Sequence, residues 1–405
     1  MQSLERENES ALNEALKPYC DDCRRQLTIP EDAYKQYDIK RGLRNADGTG
    51  VLAGVTRICN GYILEDSQRR PTEGRLFYRG IDIRDIIEGC TAEDRFGFEE
   101  VVWLLLFGYL PTAEQLSGFT RLLEQHRELP EGFIEDMIIK APSPNIMNKL
   151  ARSVLALYSY DELAEDMSLE NIVRQSIELI ARVSTIMVNA YQVKKRYYDH
   201  ESLFFHSPID GMSFSENILS TLRFDRQFTR EEAKLLDICL ILHAEHGGGN
   251  NSTFACRVLS SSGTDTYAAI SAAIGGLKGP RHGGANIKVM QMLEGMKTAI
   301  RDSGDDEEIT AYLKKLIAGE AGDRSGLIYG MGHAVYTKSD PRARILKANA
   351  EGMAIRSGFE EEFRLLASVE RLAPARRAAG LRRLRRGRHA HGEGPPPPLL
   401  RPALR

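Results

Sequence analysis

The chain has 405 residues, of which 42% are hydrophobic and 27% charged, and its formal net charge is −3. This length suits two or three domains, and the composition is that of a globular protein with a sizeable core. The longest apolar runs, such as Val101–Phe107, are far shorter than the about 20 residues of a membrane span. Met1–Ala15 lacks the basic and apolar regions of a secretory signal. We therefore predict a cytoplasmic protein with no membrane partner.

Residues 1–40 read as a polar helical leader, because a thin apolar stripe is interrupted by Pro18 and Pro30. The next segment changes character. Val51–Ile58 and Arg75–Tyr78 are rich in β-forming residues and are separated by glycine and asparagine, which predicts a small β-hairpin. After Gly80 the helical period takes over, and from there to about residue 370 we find no strand series.

Capping residues or the spacing of apolar residues predict the positions of several helices. Phe98–Phe107 opens with two glutamates and stops at Gly108, and Thr112 is a good cap for the next helix. The apolar repeat between residues 177 and 187 predicts a helix that is buried on most sides. Tyr267–Leu277 is rich in small residues, which let two helix backbones approach closely. Such a helix fits either a seam between subunits or internal packing.

The cysteines suggest a reducing compartment. Four of them are far apart in apolar or mixed surroundings, which suits buried thiols: Cys59, Cys90, Cys239 and Cys256. Cys20 and Cys23 form a C-x-x-C pair, which is typical of half a zinc site or of a redox pair. No second pair accompanies them in the sequence, so two thiols on a surface helix are the favoured interpretation.

The C-terminal segment differs from the rest of the chain. Residues 376–405 contain nine arginines and one acid, Glu393, so they carry +8 and leave −11 on the preceding 375 residues. The stretch 373–405 includes the run Pro395–Pro398 and no aromatic residue. It has too little apolar surface to offset its ordering entropy, so we expect disorder and no nucleic-acid binding. A reading-frame error near residue 375 in GC-rich coding sequence would give this composition.

Three stretches place a histidine beside glycines within 90 residues. They are His243–Thr253 (HAEHGGGNNST), Gly279–Asn286 (GPRHGGAN) and Gly330–Arg342 (GMGHAVYTKSDPR). A histidine on an apolar helix face is usually a core residue. Glycines, however, let backbone and ligand approach closely, so these turns are better explained as parts of a site.

A metal site explains these stretches less well. His243, Glu245 and His246 are too closely spaced to face one ion as an i,i+4 pair does. Glycine-rich turns do not fix the ligand tetrahedron that zinc requires. The turns also lack the strand, lysine and Ser/Thr spacing of a phosphate-binding loop. The sequence therefore predicts no metal site.

Taken together, the three stretches resemble the signature of the citrate synthase family. Gly74–Asp82 and Phe98–Val101 are also similar to early segments of that family, so the resemblance covers roughly residues 40–372. The separations of 36 residues from His246 to His282 and of nine from His333 to Arg342 agree with it. The resemblance implies an all-α two-domain fold in a homodimer, with a large domain at 41–279, a small domain at 280–372 and the active site between them.

The resemblance also implies roles for five residues. His282 resembles the catalytic histidine that donates to the thioester oxygen of acetyl-CoA while an enol or enolate forms. Ser252 matches the serine that orients this imidazole. His333 resembles the second catalytic histidine, which polarises the ketone of oxaloacetate. His246 and Arg342 match residues that bind the oxaloacetate carboxylates, and an arginine fork suits that task.

The implied activity is that of an acyltransferase of the tricarboxylic acid cycle. Acetyl-CoA and oxaloacetate would condense to citryl-CoA, whose hydrolysis in the same site gives citrate and CoA. Gly330 and Gly332, in the turn from Gly326 to Gly332, would lie against CoA, and no cofactor beyond the substrates is implied. A sister enzyme, 2-methylcitrate synthase, would use propionyl-CoA with the same three motifs, so the sequence leaves that choice open.

The chain departs from the family pattern at the residue that would act as the catalytic base. The resemblance requires an aspartate some 55 residues after the third histidine, and that offset falls on Arg388. There is no aspartate after Asp340, and the surroundings of Glu393 do not match the expected motif. We therefore expect little or no turnover from this chain. A non-catalytic, ligand-binding homologue remains an alternative.

Overall fold

The computed structural model describes residues 58–65, 70–247, 249–279, 282–331 and 339–380. Its strands Cys59–Glu65 (β1), Arg70–Tyr78 (β2) and Ile81–Asp82 (β3) form one antiparallel sheet in the order β1-β2-β3. The predicted strand Arg75–Tyr78 is confirmed as the end of β2. The other predicted strand, Val51–Ile58, lies outside the described residues except for Ile58, which directly precedes β1.

Helices make up most of the described residues, and the prediction of an all-α fold with a small β-element is confirmed. Thirteen α-helices, one π-helix (Ile134–Ile139) and one 3₁₀ helix (Leu157–Tyr160) lie within the described ranges. The α-helices are α1 (Ile83–Ala92), α2 (Phe98–Phe107), α3 (Ala113–Gln125), α4 (Ile146–Ala156), α5 (Leu169–Tyr198), α6 (Phe214–Leu222), α7 (Arg230–His243), α8 (Asn251–Ser260), α9 (Thr266–Lys278), α10 (Ala285–Ala299), α11 (Asp306–Ala318), α12 (Pro341–Arg356) and α13 (Glu360–Gly380). Every helix within these ranges is too short or too polar to cross a membrane.

The ends of α2 and α3 follow directly from local sequence. The backbone of Gly108 is left-handed, with φ 89°, which ends α2 at Phe107 as predicted. The hydroxyl of Thr112 accepts from the Gln115 amide, and the Gln115 side chain accepts from the Thr112 amide. This reciprocal pair is a capping box, and it confirms Thr112 as the helix cap.

A buried carboxylate on α7 caps the start of α2. Asp237 is 2% exposed and accepts hydrogen bonds from the backbone amides of Gly97, at 2.7 Å, and Phe98, at 3.2 Å. A side chain at position 97 would lie 2.5 Å from the sulfur of Cys90, so only glycine lets the backbone come this close. Burial raises the pKa of Asp237 to about 7.

The helices that adjoin the three histidine stretches pack in three apolar cores. The first joins β2, α1, α2 and α7 to α12. The second joins the π-helix, α4, α5 and α9. The third contains α10, α11 and α13. Thus α12 packs with elements that end about 100 residues before it or earlier, whereas its neighbours α11 and α13 share a core with α10. The domain boundaries at 279 and 372 remain predictions.

The small-residue helix α9 packs closely against α4. The Ser271 hydroxyl donates to the Ala151 carbonyl at 2.8 Å, a bond that requires the two helices to be close. At the start of α9 the buried Tyr267 donates to Asp161 at 2.8 Å. Internal packing therefore accounts for at least part of the small-residue pattern, and a subunit seam along this helix remains a prediction.

The last helix corrects the predicted start of the C-terminal segment. We expected disorder from Ala373, but α13 continues to Gly380. The residues that follow Ala373 are mainly alanine and arginine, which are both good helix formers. Pro374 removes one backbone donor, which weakens a helix without having to end it. Residues 381–405 lie outside the described residues, as do Cys20 and Cys23.

Candidate active site

His282 lies in a tight turn between α9 and α10. Its amide donates to the Gly279 carbonyl at 2.9 Å, and its side chain is buried, with 5% exposed. A side chain at Gly283 would lie 2.6 Å from Leu277, and one at Gly284 would lie 2.5 Å from the Lys278 carbonyl oxygen. The two glycines after the histidine are therefore needed so that the turn can fold back on the end of α9.

The start of α8 holds the His282 ring. Asn250 caps this helix, and its Oδ1 accepts from the amides of Ser252 at 2.7 Å and Thr253 at 3.4 Å. Nε2 of His282 lies 3.1 Å from this Oδ1 and 3.2 Å from the Ser252 hydroxyl oxygen. The structure therefore brings together two residues of the predicted site, Ser252 and His282, across 30 positions of sequence.

Asn250 and Ser252, the partners of Nε2 among the described residues, favour different tautomers of His282. Oδ1 of Asn250 is an amide oxygen that already accepts from two backbone amides, so it can only accept a hydrogen bond from a ring N–H. The Ser252 hydroxyl can donate instead, and in a neutral imidazole this places the ring proton on Nδ1. Ser252 is thus the partner at this nitrogen that lets Nδ1–H act as a donor. That tautomer can stabilise an oxyanion that forms beside it.

The first histidine stretch surrounds the end of α7. His243 is the last residue of that helix, and its Nδ1–H donates to the Cys239 carbonyl at 2.5 Å. The ring reaches solvent, yet enough protein surrounds it that burial lowers its pKa, as does the nearby charge of Arg342. His246 follows in a half-buried turn, in which Gly247 has a left-handed φ of 87° and donates to the Glu245 carboxylate.

Arg342 stands at the start of α12, where Asp340 caps the helix. The Arg342 guanidinium makes two bonds to that carboxylate, from Nε to Oδ1 at 3.1 Å and from Nη2 to Oδ2 at 2.7 Å. Its side chain is 12% exposed. Its charge is one of the causes that lower the pKa of His243, after the burial of that ring.

The remaining predicted residues are only partly covered. Gly330 has a left-handed φ of 80° and precedes the third histidine. Gly332 and His333 lie outside the described residues, so their roles stay predictions, as does the convergence of His246, His282 and His333 on one cleft. Among the described side chains, no three of His, Cys, Asp and Glu are grouped in a way that would hold a metal ion.

Comparison with known proteins places the chain in a family. Residues 47–385 match the family model described as citrate synthase, C-terminal domain. The chain belongs to the citrate synthase family. It is therefore an acyltransferase of the citrate synthase type by descent, as the three histidine stretches predict.

Individual citrate synthases and related enzymes are similar over most of their length. A citrate synthase of Haloferax volcanii is 32% identical over 338 residues, which cover 82% of this chain and 79% of that protein. A 2-methylcitrate synthase of Shewanella oneidensis is 30% identical over 297 residues, covering 73% and 72%. A Thermoplasma acidophilum citrate synthase, solved with carboxymethyl coenzyme A and oxaloacetate, has the same fold, with a TM-score of 0.66, 23% identity and coverage of 87% and 86%.

Three contributors to this region were not predicted. The sequence assigns no role to Asn250, although an asparagine directly before a helix start is a typical cap. His243 belongs to this region through its position as the last residue of α7, just before the turn that contains His246. Asp340 both caps α12 and holds the guanidinium of Arg342.

Proposed function

We propose that this site binds an acyl-CoA and oxaloacetate and serves their condensation, with acetyl-CoA as the acyl donor and citrate and CoA as products. The observation that carries the proposal is the buried His282, whose Nε2 is held by Ser252 and Asn250. A donor fixed in this way suits the oxygen of a thioester, where negative charge develops when a neighbouring methyl proton is removed. The Thermoplasma relative of the same fold was solved with a coenzyme A derivative and oxaloacetate.

The second substrate would be held by positive charge. Arg342 presents a fork that matches a carboxylate in shape, and an oxaloacetate carboxylate would share or replace its contact with Asp340. His246 would contribute a second contact and His333 would polarise the ketone. Because this chemistry needs only proton donors, a base and positive charge, we propose that it uses no cofactor besides the substrates.

A second candidate is 2-methylcitrate synthesis from propionyl-CoA. The 30% identity to the Shewanella 2-methylcitrate synthase supports this candidate. The two substrates differ by one methylene, which is worth only about 1–3 kcal/mol in a hydrophobic pocket. A direct comparison of acetyl-CoA and propionyl-CoA in one assay distinguishes the two functions.

We further propose that this chain turns over poorly, because no aspartate follows Asp340 to act as the base. A positioned general base contributes on the order of 10²–10⁴ in rate. CoA release from acetyl-CoA plus oxaloacetate, followed with a thiol reagent, should therefore be very slow. A chimera with the C-terminal segment of the Haloferax enzyme after residue 372 should recover that factor. Rapid turnover by the unaltered chain contradicts the proposal of impairment, and binding of oxaloacetate without recovery in the chimera favours the non-catalytic homologue.

The proposed assembly is a homodimer in the cytoplasm. Helix α8 has no buried residue, and its Phe254 and Val258 are 37% and 49% exposed. Such apolar side chains beside the small-residue helix α9 suit coverage by a second copy. Light scattering after size exclusion tests this, and a monomer at micromolar concentration contradicts it.

A further inference from the structure

The segment between α11 and the third histidine stretch has an unusual backbone. Five of its residues, within 319–330, have a left-handed backbone, with φ between 58° and 80°: Gly319, Gly322, Arg324, Gly326 and Gly330. Glycine adopts this conformation at little cost, but an arginine does not. A segment bent this often keeps one shape only if specific contacts hold it.

Asp323 supplies the central contacts. Its Oδ2 accepts from the Tyr329 hydroxyl at 2.6 Å and from Nζ of Lys288 at 3.1 Å, and its Oδ1 accepts from the Ser325 amide at 3.1 Å. The bonds from Ser325, Tyr329 and Lys288 hold the pKa of this carboxyl well below its usual range. One carboxylate therefore joins both arms of the segment to a helix outside it.

That helix is α10, which begins three residues after His282. Lys288 lies on its first turns, and the neighbouring Val289 packs under Gly330, where an added side chain would meet Val289 at 3.3 Å. The Tyr329 ring packs against the core formed by α10, α11 and α13. The polar contacts of Asp323 and the apolar contact of Val289 thus fix residues 319–331 to the helix that follows the catalytic turn.

We propose that Asp323 is a positioning residue for acyl-CoA binding, which clamps residues 319–331 to α10 so that Gly330 is presented at a fixed place relative to His282. The inference rests on the proposed function, because it assigns Gly330 to the CoA side of the site. Asp323 itself touches no substrate in this scheme. Its carboxylate acts through Tyr329 and Lys288.

The test compares full-length variants that change one partner at a time. Asp323→Asn keeps the shape and removes the charge, Tyr329→Phe removes one hydroxyl, and Lys288→Arg keeps the cation. The matched control is Glu362→Gln, which removes an ion pair of 2.7 Å from Lys297, also on α10. Titration calorimetry with CoA and, separately, with oxaloacetate gives the two affinities. Amide hydrogen exchange measures how readily residues 319–331 open locally.

For Asp323→Asn we expect CoA binding to weaken about tenfold, the factor for losing a hydrogen bond to a charged group. Tyr329→Phe should weaken CoA binding by a smaller factor, and Lys288→Arg, which keeps the cation, should retain most of the CoA affinity of the unaltered chain. The control should change CoA binding less than about twofold. In Asp323→Asn, oxaloacetate binding should change less than CoA binding. Hydrogen exchange in residues 319–331 should be faster in Asp323→Asn than in the unaltered chain, and unchanged in the control Glu362→Gln.

Two outcomes overturn the inference: CoA affinity in Asp323→Asn equal to that of the control, or unchanged exchange in 319–331. Should Asp323→Asn fail to fold, Tyr329→Phe carries the same test, since it keeps every charge. An unaltered chain that binds neither CoA nor oxaloacetate overturns the proposed function instead. In that case the exchange rates of residues 319–331 in Asp323→Asn and in the unaltered chain still test whether Asp323 holds this segment in place.

Discussion

Nε2 of His282 lies 3.2 Å from the hydroxyl oxygen of Ser252, although the two residues are 30 positions apart. The second group at that nitrogen, Oδ1 of Asn250, can only accept. Ser252 is thus the partner there that can direct the ring proton to Nδ1. If a thioester oxygen is to be stabilised by Nδ1–H, the serine matters for the proton's position and not only for packing.

Replacing Ser252 by alanine should move the ring proton of His282 to Nε2, because Asn250 then remains as an acceptor at that atom. The measurement is the pair of ring ¹⁵N shifts of His282 in histidine-labelled protein, recorded at alkaline pH. Ser260→Ala, on the same helix α8, is the control and should leave the shifts unchanged. An Nδ1–H tautomer that persists in Ser252→Ala contradicts this assignment.

Replacing Gly284 by alanine should destabilise the turn that holds His282. The new methyl group would lie 2.5 Å from the Lys278 carbonyl oxygen, which is backbone and cannot rotate away. We expect the free energy of unfolding to fall by about 1–3 kcal/mol, as in other overpacked sites. Urea denaturation measures it.

Gly275 provides the comparison, since it lies inside α9 with nothing within 4 Å of an added side chain. Gly275→Ala should raise the free energy of unfolding by about 0.5–1 kcal/mol through helix propensity. Equal effects at the two positions would show that the turn can relax and that its glycines are not sterically required.

Features that depend on nearby residues were predictable from the sequence. The end of α2 at Gly108 and the cap of α3 at Thr112 each use groups within four positions of the helix end, so local chemistry determines them. The His-Gly-Gly turn at 282–284 was also recognisable, because its glycines are needed for a close approach within the same short segment.

Contacts between distant segments were not predictable from residue types. Asp237 caps a helix 140 positions earlier, and in the sequence it is only a polar residue in an apolar helix. The clamp of Asp323 on Lys288 joins residues 35 positions apart across a glycine-rich segment that resembles any loop. The pairing of Ser252 with His282 was expected only from the family resemblance, since nothing in their separation indicates contact.

Replacing Arg342 by lysine should weaken oxaloacetate binding on the order of 10–100-fold, because an ammonium group cannot make two parallel bonds to a carboxylate. Titration calorimetry with oxaloacetate measures the change. Arg344→Lys is the control, since Arg344 lies on the same helix and pairs with Glu73 in an exposed ion pair. Exposed pairs contribute little, so its effect should stay within about twofold. Equal affinities in the two variants would remove Arg342 from the proposed site.

Asp237 should make stability fall as pH rises. Its folded pKa, about 7, exceeds the unfolded value of about 3.9, so between these values the folded chain holds a proton that the unfolded chain has released. Unfolding is therefore favoured progressively through that window, by about 1.4 kcal/mol per pH unit at this one site. Asn at this position resembles the protonated acid and does not titrate. The free energy of unfolding of the unaltered chain minus that of Asp237→Asn should thus decrease from pH 5 to pH 7 and level off above it. Parallel urea-denaturation results at all pH values would mean that Asp237 is already ionised when folded, with its two amide bonds outweighing its burial.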